Sequence, residues 1–127
     1  MGPLMSALAV GVGGFFGAIA RYLVALAVAR RLGTAWPYGT FVINMTGCFA
    51  IGFFVTWTSE KVAVHDAWRL LFPIGFVGAY TTFSTYELET ARLIADGAWA
   101  RAASYVLLST LVGFASVVAA MALARRL

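Results

Sequence analysis

Apolar residues fall in four long blocks along the chain, separated by short clusters of charge, Gly and Pro. The first block runs from about Leu4 to Ala29 and stops at Arg30-Arg31. Leu32-Gly33-Thr34-Ala35-Trp36-Pro37 follows as a connection, with Gly and Pro as breakers. The second block runs from about Tyr38 to Trp57; Ser59 to Trp68, which holds Glu60, Lys61, His65 and Asp66, is the second connection. The third block starts near Arg69 and carries no charge from Leu70 to Tyr86. It continues as an amphipathic helix through Glu87, Glu89 and Arg92, and Asp96-Gly97 ends it. The fourth runs from about Trp99 to Leu123 and stops at Arg125-Arg126. A spanning helix needs roughly 20 apolar residues, so the pattern predicts four transmembrane helices. Tyr38, Trp57, Trp68 and Trp99 lie near the predicted ends, as an aromatic belt requires. Ala18-Ile19-Ala20 resembles a signal cleavage site, but no cationic segment precedes the first block and it is too long for a signal core, so it reads as a retained span.

Composition narrows the class. Of 127 residues 62% are hydrophobic and 11% charged, and the mean hydropathy is +0.90. Soluble domains are near half apolar and a quarter charged, so a soluble fold, or a separate soluble domain, is excluded. The expectation is one all-α membrane domain over residues 1–127. The net charge of +4 comes from cations scattered or paired beside apolar blocks, with no basic stripe, so no nucleic-acid partner is expected. Cys48 is the single cysteine and can form no intrachain disulfide; His65 is a loop residue. No catalytic triad, metal-ligand cluster or phosphate loop is present, so no enzyme is expected.

Loop charge bears on assembly. With four spans both termini share one side, which carries Lys61, Arg69, Arg125 and Arg126; the other carries Arg30, Arg31, Arg92 and Arg101. Lys and Arg bias sets orientation, and four against four is no bias. This suggests dual topology and an antiparallel homodimer; the alternative is that one local pair, or Arg21, tips the balance. Gly13 and Gly17, Gly75 and Ala79, and Ser109 and Gly113 each have the small-xxx-small spacing. Such pairs favour close helix contacts and an oligomer.

Polar residues at membrane depth default to functional hypotheses. Arg21 lies about two and a half turns from the Arg30 end. It reads either as snorkelling or structurally paired, or as a cation facing an aqueous vestibule where it would concentrate anions. Asn44 lies mid-span, with Thr40 and Gly47 on a similar face; it reads as an interhelical hydrogen bond or as a donor lining an ion path. Gly78-Ala79-Tyr80-Thr81-Thr82-Phe83-Ser84-Thr85-Tyr86 packs four hydroxyl residues of the Ser/Thr kind into the third span. These are poor residues for an unbroken helix. Either their hydroxyls bond back to their own helix, or the helix unwinds and frees carbonyls, hard ligands for a small cation. Unwound backbone at this depth is tolerated only in a protein interior or a wet cavity. Phe83 and Tyr86 share a face on resumed helix; they are core, or their positive ring edges meet an anion. Tyr105, Ser109, Gly113 and Ser116 form one stripe on the fourth span, which reads as a polar track.

Three blocks in order then become specific. They are Gly13-Gly14-Phe15-Phe16-Gly17-Ala18 with Arg21-Tyr22, Gly39-Thr40-Phe41-Val42-Ile43-Asn44 with Gly47, and Gly75-Phe76 through Thr81-Thr82-Phe83-Ser84-Thr85 and Glu89. With four spans and matching length, the sequence resembles the Fluc (CrcB-type) fluoride channels of prokaryotic membranes over nearly the whole chain. The resemblance implies a passive fluoride channel in the cell (inner) membrane, with two pores in an antiparallel dual-topology homodimer. It implies a third helix broken mid-membrane and a structural Na+ on the dimer axis, held by carbonyls at Gly78 and Thr81. It places the pore aromatics at Phe83 and Tyr86, the pore asparagine at Asn44, the polar track at Tyr105 and Ser109, and the vestibule arginine at Arg21. Ser84 and Thr85 would add hydroxyl donors. Two positions depart from the family pattern: Ala79 stands for a usual Gly and Tyr86 for a usual Phe.

The rival is a small multidrug-type proton-coupled antiporter, also a four-span dimer. It needs a membrane-embedded acid, and Glu87 and Glu89 are the only candidates. A structural subunit of a larger membrane complex is the third reading.

Overall fold

Proline at the first position of a helix gives up a donor that the first turn would not use. Pro3 starts α1 (Pro3–Leu32) in this way. Gly33 ends it at φ 74, a left-handed conformation suited to glycine. The computed structural model describes all 127 residues. Next come α2 (Tyr38–Glu60), α3 (Asp66–Arg69), a π-helical segment Leu70–Val77, α4 (Gly78–Tyr80), α5 (Phe83–Ala95) and α6 (Trp99–Arg126), with no strand. α2 runs three residues past the expected Trp57 end; the Thr58 hydroxyl bonds back to the Phe54 carbonyl at 2.8 Å. His65 is a capping residue, its Nδ1 accepting the Ala67 N–H at 3.2 Å. Pro73 sits inside the π-helical segment. A helical proline removes one donor and crowds the carbonyl four residues before it, and a wider turn relieves that crowding.

Three helices, α1, α2 and α6, are each long and apolar enough to cross a membrane. The third apolar block is not one such helix. It is divided, because the helix stops at Tyr80 and resumes at Phe83. Only 17 of 127 residues are buried, while Phe15, Phe16, Leu111 and Phe114 stand out from α1 and α6. An apolar surface of that extent needs lipid around it, so the chain is a membrane protein whose four apolar blocks fold as helix apart from Thr81 and Thr82.

The packing has two halves. α1 lies along the π-helical segment and α4, while α2 lies along α6. After the interruption, α5 leaves α1 and packs on α6 and α2. Small residues set the first crossing: a Cβ on Gly13 would overlap the Leu71 carbonyl oxygen, and one on Gly17 the Phe76 carbonyl oxygen. Gly75 lies on the Val10 carbonyl, and Gly113 of α6 lies on Met45 and Cys48 of α2. Gly13, Gly17, Gly75 and Gly113 of the three small-residue pairs are thus occupied by contacts within the chain.

Polar ties hold each end. At one, the Arg69 guanidinium donates to the Thr58 carbonyl at 2.6 Å and Arg125 pairs with Glu60 at 3.2 Å. At the other, the Trp36 indole donates to Ser104 Oγ at 3.1 Å and Arg101 to the Ala35 carbonyl at 3.2 Å.

Candidate functional site

Thr81 (φ −80°, ψ 158°) and Thr82 (φ −149°, ψ 115°) are extended. Extended residues inside a helix strand their backbone groups, and away from water those groups need partners. Asn44 supplies them. The Thr82 N–H donates to Asn44 Oδ1 at 2.9 Å, and Asn44 Nδ2 donates to the Thr82 carbonyl at 3.1 Å. The side-chain amide therefore pairs with Thr82 as a neighbouring strand would. Gly47, three residues on, admits the Thr81 methyl, which a Cβ there would overlap. The Tyr80 and Thr46 hydroxyls meet at 2.8 Å and tie the other side of the break to α2.

Two carbonyls lose their helical donors in this arrangement. In an unbroken helix the Thr82 N–H would bond the Gly78 carbonyl, but it goes to Asn44. The Thr85 N–H would bond the Thr81 carbonyl, but it goes to Thr82 Oγ1 at 3.3 Å, making Thr82 the N-cap of α5. Gly78 itself is right-handed at φ −61°, ψ −35°. Ala79 lies within α4 and no residue other than glycine has a positive φ, so the break makes no demand for glycine at position 79.

Beyond the break, α5 brings Glu89 between α2 and α6. The Thr40 hydroxyl donates to one carboxylate oxygen at 2.9 Å and the Tyr105 hydroxyl to the other at 2.8 Å. Tyr105 is fully buried. A buried hydroxyl and a buried threonine both need partners, and one carboxylate serves both. Four aromatic rings connect this cluster to the break and to the α1–α2 loop. Phe83 and Tyr86 have centroids 5.8 Å apart, Tyr86 and Tyr105 5.0 Å at 64°, and Tyr105 and Trp36 5.1 Å at 73°. The last two pairs are edge-to-face, so positive ring edges recur along the row. A cavity of about 330 Å³ opens beside it, lined by Trp36, Thr40, Glu89, Arg92 and Asp96 among others.

The expected site residues divide into two groups. Asn44, Thr81, Phe83, Thr85, Tyr86 and Tyr105 are gathered around the break and the aromatic row. Phe83 is 73% exposed, and Gly78, Ser84 and Thr85 are also exposed, so the break end of the row lies on the outside of the single chain while Tyr105 at its centre is buried. Ser84 and Ser109 make no side-chain hydrogen bond. Arg21, half-buried, has no hydrogen bond or ion pair and does not line the cavity; Arg92 is the cation that does. The Glu89 bridge and Trp36 escape sequence reasoning. The signal for the first was the pairing of Thr40, one turn before Asn44, with an acid three residues after Tyr86.

A family model described as CrcB-like protein, Camphor Resistance (CrcB), matches residues 8–121. The chain belongs to the CrcB-like family. Its relatives in that family include proteins named fluoride-specific ion channel FluC. That of Acidobacterium capsulatum is 46% identical over 123 residues, covering 97% of this chain and 98% of its own. That of Koribacter versatilis is 45% identical, covering 91% and 92%, and that of Solibacter usitatus 42% identical, covering 96% and 100%. The matched stretch contains the break, the Asn44 clamp and the Thr40–Glu89–Tyr105 bridge, so in this CrcB-like chain they all belong to the family-matched part.

Proposed function

We propose that this CrcB-like chain forms a fluoride-selective passive channel that lets fluoride leave the cytoplasm across a prokaryotic cell (inner) membrane. The observation that carries the reading is likeness over nearly the whole chain to relatives named fluoride-specific ion channels. The assembly is an antiparallel, dual-topology homodimer with two pores, and the interruption at Thr81–Thr82 sits mid-membrane. Support comes from the exposure of Phe83, Ser84 and Thr85: a row of ring edges and hydroxyls on an outer face becomes a pore wall only when a second copy closes it.

Fluoride is small and strongly hydrated, so a narrow path must replace its water with donors, held loosely enough for the ion to leave. Asn44 keeps one N–H after pairing with Thr82. Thr85 Oγ1 accepts from Thr82 Oγ1 at 3.0 Å, which leaves its own proton free and polarised toward an anion. Ser84 and Ser109 have uncommitted hydroxyls. Phe83 and Tyr86 supply ring edges. The Tyr105 proton is committed to Glu89, so Tyr105 contributes its ring and holds Glu89 in place. Arg21 acts as a vestibule cation.

The Gly78 and Thr81 carbonyls fit a structural sodium ion, because both have lost their helical donors and carbonyl oxygen is a hard ligand. One chain offers only two such oxygens, so a second copy would complete the set. The ion would pin the two breaks together; the permeating anion would not pass through it.

The antiporter reading is not favoured, since Glu89 is engaged at both oxygens by hydroxyl donors and the relatives are named channels. The test is anion efflux from liposomes holding the purified protein, with valinomycin carrying potassium and electrodes reading fluoride and chloride. Rapid fluoride loss with chloride retained is expected. Folded protein that passes no fluoride would remove the reading.

A further inference from the structure

A second cleft, of about 560 Å³, lies on the other side of Trp36 from the cavity that reaches Glu89. Its size is within the roughly 300–1,000 Å³ usual for ligand clefts. Trp36 and Tyr38 border both spaces, and Phe41, Arg101, Ser104 and Leu108 complete the wall that matters here. The cleft therefore runs between the start of α2 and the first turns of α6.

Its polarity is graded. Arg101 is two residues into α6, and Leu108 lies seven residues further along, roughly 10 Å at 1.5 Å per residue. Arg101 and Ser104 mark the loop end, while Phe41 and Leu108 mark the deep end. The Arg101 guanidinium donates once, to the Ala35 carbonyl at 3.2 Å, and has no ion pair. Most of its five N–H donors therefore remain free. Trp36 and Tyr38 border this end, as aromatics do where a helix meets headgroups. The Trp36 indole is fixed by Ser104, and its ring lies 5.2 Å from Phe41, so the wall is held in place without an occupant.

A cation at headgroup level above an apolar slot is complementary to one kind of molecule, an anion that carries a hydrocarbon tail. A free anion would have no use for Phe41 and Leu108, and an uncharged tail none for Arg101. We propose that this cleft holds one anionic phospholipid per chain, its phosphate on Arg101 and an acyl chain against Phe41 and Leu108. Basic pockets between helices bind acidic headgroups by the same physics. The cleft shares Trp36 with the aromatic row, but its ligand does not depend on which ion is carried.

The test is native mass spectrometry of the full-length protein released from membranes of equal phosphatidylglycerol and phosphatidylcholine. One retained phosphatidylglycerol per chain is expected. Arg101→Gln should lower its retention about fivefold, the worth of one arginine near a lipid surface, and Arg101→Lys should keep most of it. Leu108→Trp fills the deep end from an exposed position and should lower retention with the charge intact. Unchanged retention in both Arg101→Gln and Leu108→Trp would overturn the proposal. Loss in Arg101→Gln alone would overturn it too, by showing a surface charge without a slot. Displacement of the lipid by inorganic phosphate would mark a free-anion site, and a changed oligomeric state in Leu108→Trp would mark an interface between copies; either would refute it.

Discussion

Asn44→Ala strikes the one side chain that satisfies both backbone groups of Thr82. Alanine keeps α2 helical and leaves the Thr82 N–H and carbonyl without their partners. Interhelical hydrogen bonds in membranes average about 0.6 kcal/mol and reach about 1.7. An unsatisfied buried group costs about 1–3 kcal/mol. Thr82 is buried but Asn44 only half so, which allows some rescue by water. Two bonds then amount to about 1–4 kcal/mol. The chain has one way to recover part of this: the Thr82 N–H can return to the Gly78 carbonyl and rebuild the helix. That would rotate α5 and pull Glu89 away from Thr40 and Tyr105, so fluoride flux falls even where folding survives. The assays are equilibrium unfolding in detergent micelles and fluoride efflux from liposomes. Destabilisation of more than about 1 kcal/mol with loss of most of the flux is expected. Asn44→Asp should be at least as damaging, because it keeps the acceptor for the Thr82 N–H and sets a second oxygen against the Thr82 carbonyl. An Asn44→Ala protein within about 0.5 kcal/mol of wild type and with normal flux would refute the clamp.

Two further outcomes follow from close contacts. Gly17→Val forces a side chain onto the Phe76 carbonyl, where overpacking costs about 1–3 kcal/mol; detergent unfolding should show it, and α1 should shift away from the π-helical segment. Tyr105→Phe keeps the ring between Tyr86 and Trp36 and removes one of the two donors on Glu89. It should cost about 1–3 kcal/mol in unfolding and slow fluoride efflux, with chloride still retained.

Much of the fold is legible in hydropathy because lipid imposes one rule on every residue of a span. The four blocks, their charged stops at Arg30-Arg31 and Arg125-Arg126, and the connections all follow from it. The third block is harder. Pro73 marks a disturbed helix within the run, but hydropathy is blind to the form it takes, since a widened turn is a matter of backbone bonding. The cluster of Thr81, Thr82, Ser84 and Thr85 does mark where the helix stops, for a local reason: short hydroxyl side chains compete for backbone partners. What the sequence cannot carry is the partner 38 residues away, the Asn44 amide. The same holds for Glu89. In isolation it is an acid on an amphipathic helix, and its role comes from Thr40 and Tyr105, which only the change of direction at the break brings within reach. Arg21 remains the reverse case: its rarity is plain in the sequence, and the single chain gives it no partner.

The loop cations connect folding to assembly. In the folded chain, Arg69 is committed to the Thr58 carbonyl and Arg125 to Glu60 at one end, and Arg101 to the Ala35 carbonyl at the other. That leaves Lys61 and Arg126 against Arg30, Arg31 and Arg92 without a partner, no longer an even division. Orientation, however, is decided as each span enters the bilayer, before Arg125 can meet Glu60 across 65 residues of chain. At that moment the full complement of four cations on each side is in play, which is the balance the proposed dual topology requires. The later commitment of Arg69, Arg125 and Arg101 then serves a different purpose. In the antiparallel dimer proposed above, these bonds would close the ends of each helix pair after insertion, so that copies facing opposite ways have the same internal structure and present the same outer face of Gly78, Phe83, Ser84 and Thr85 to one another.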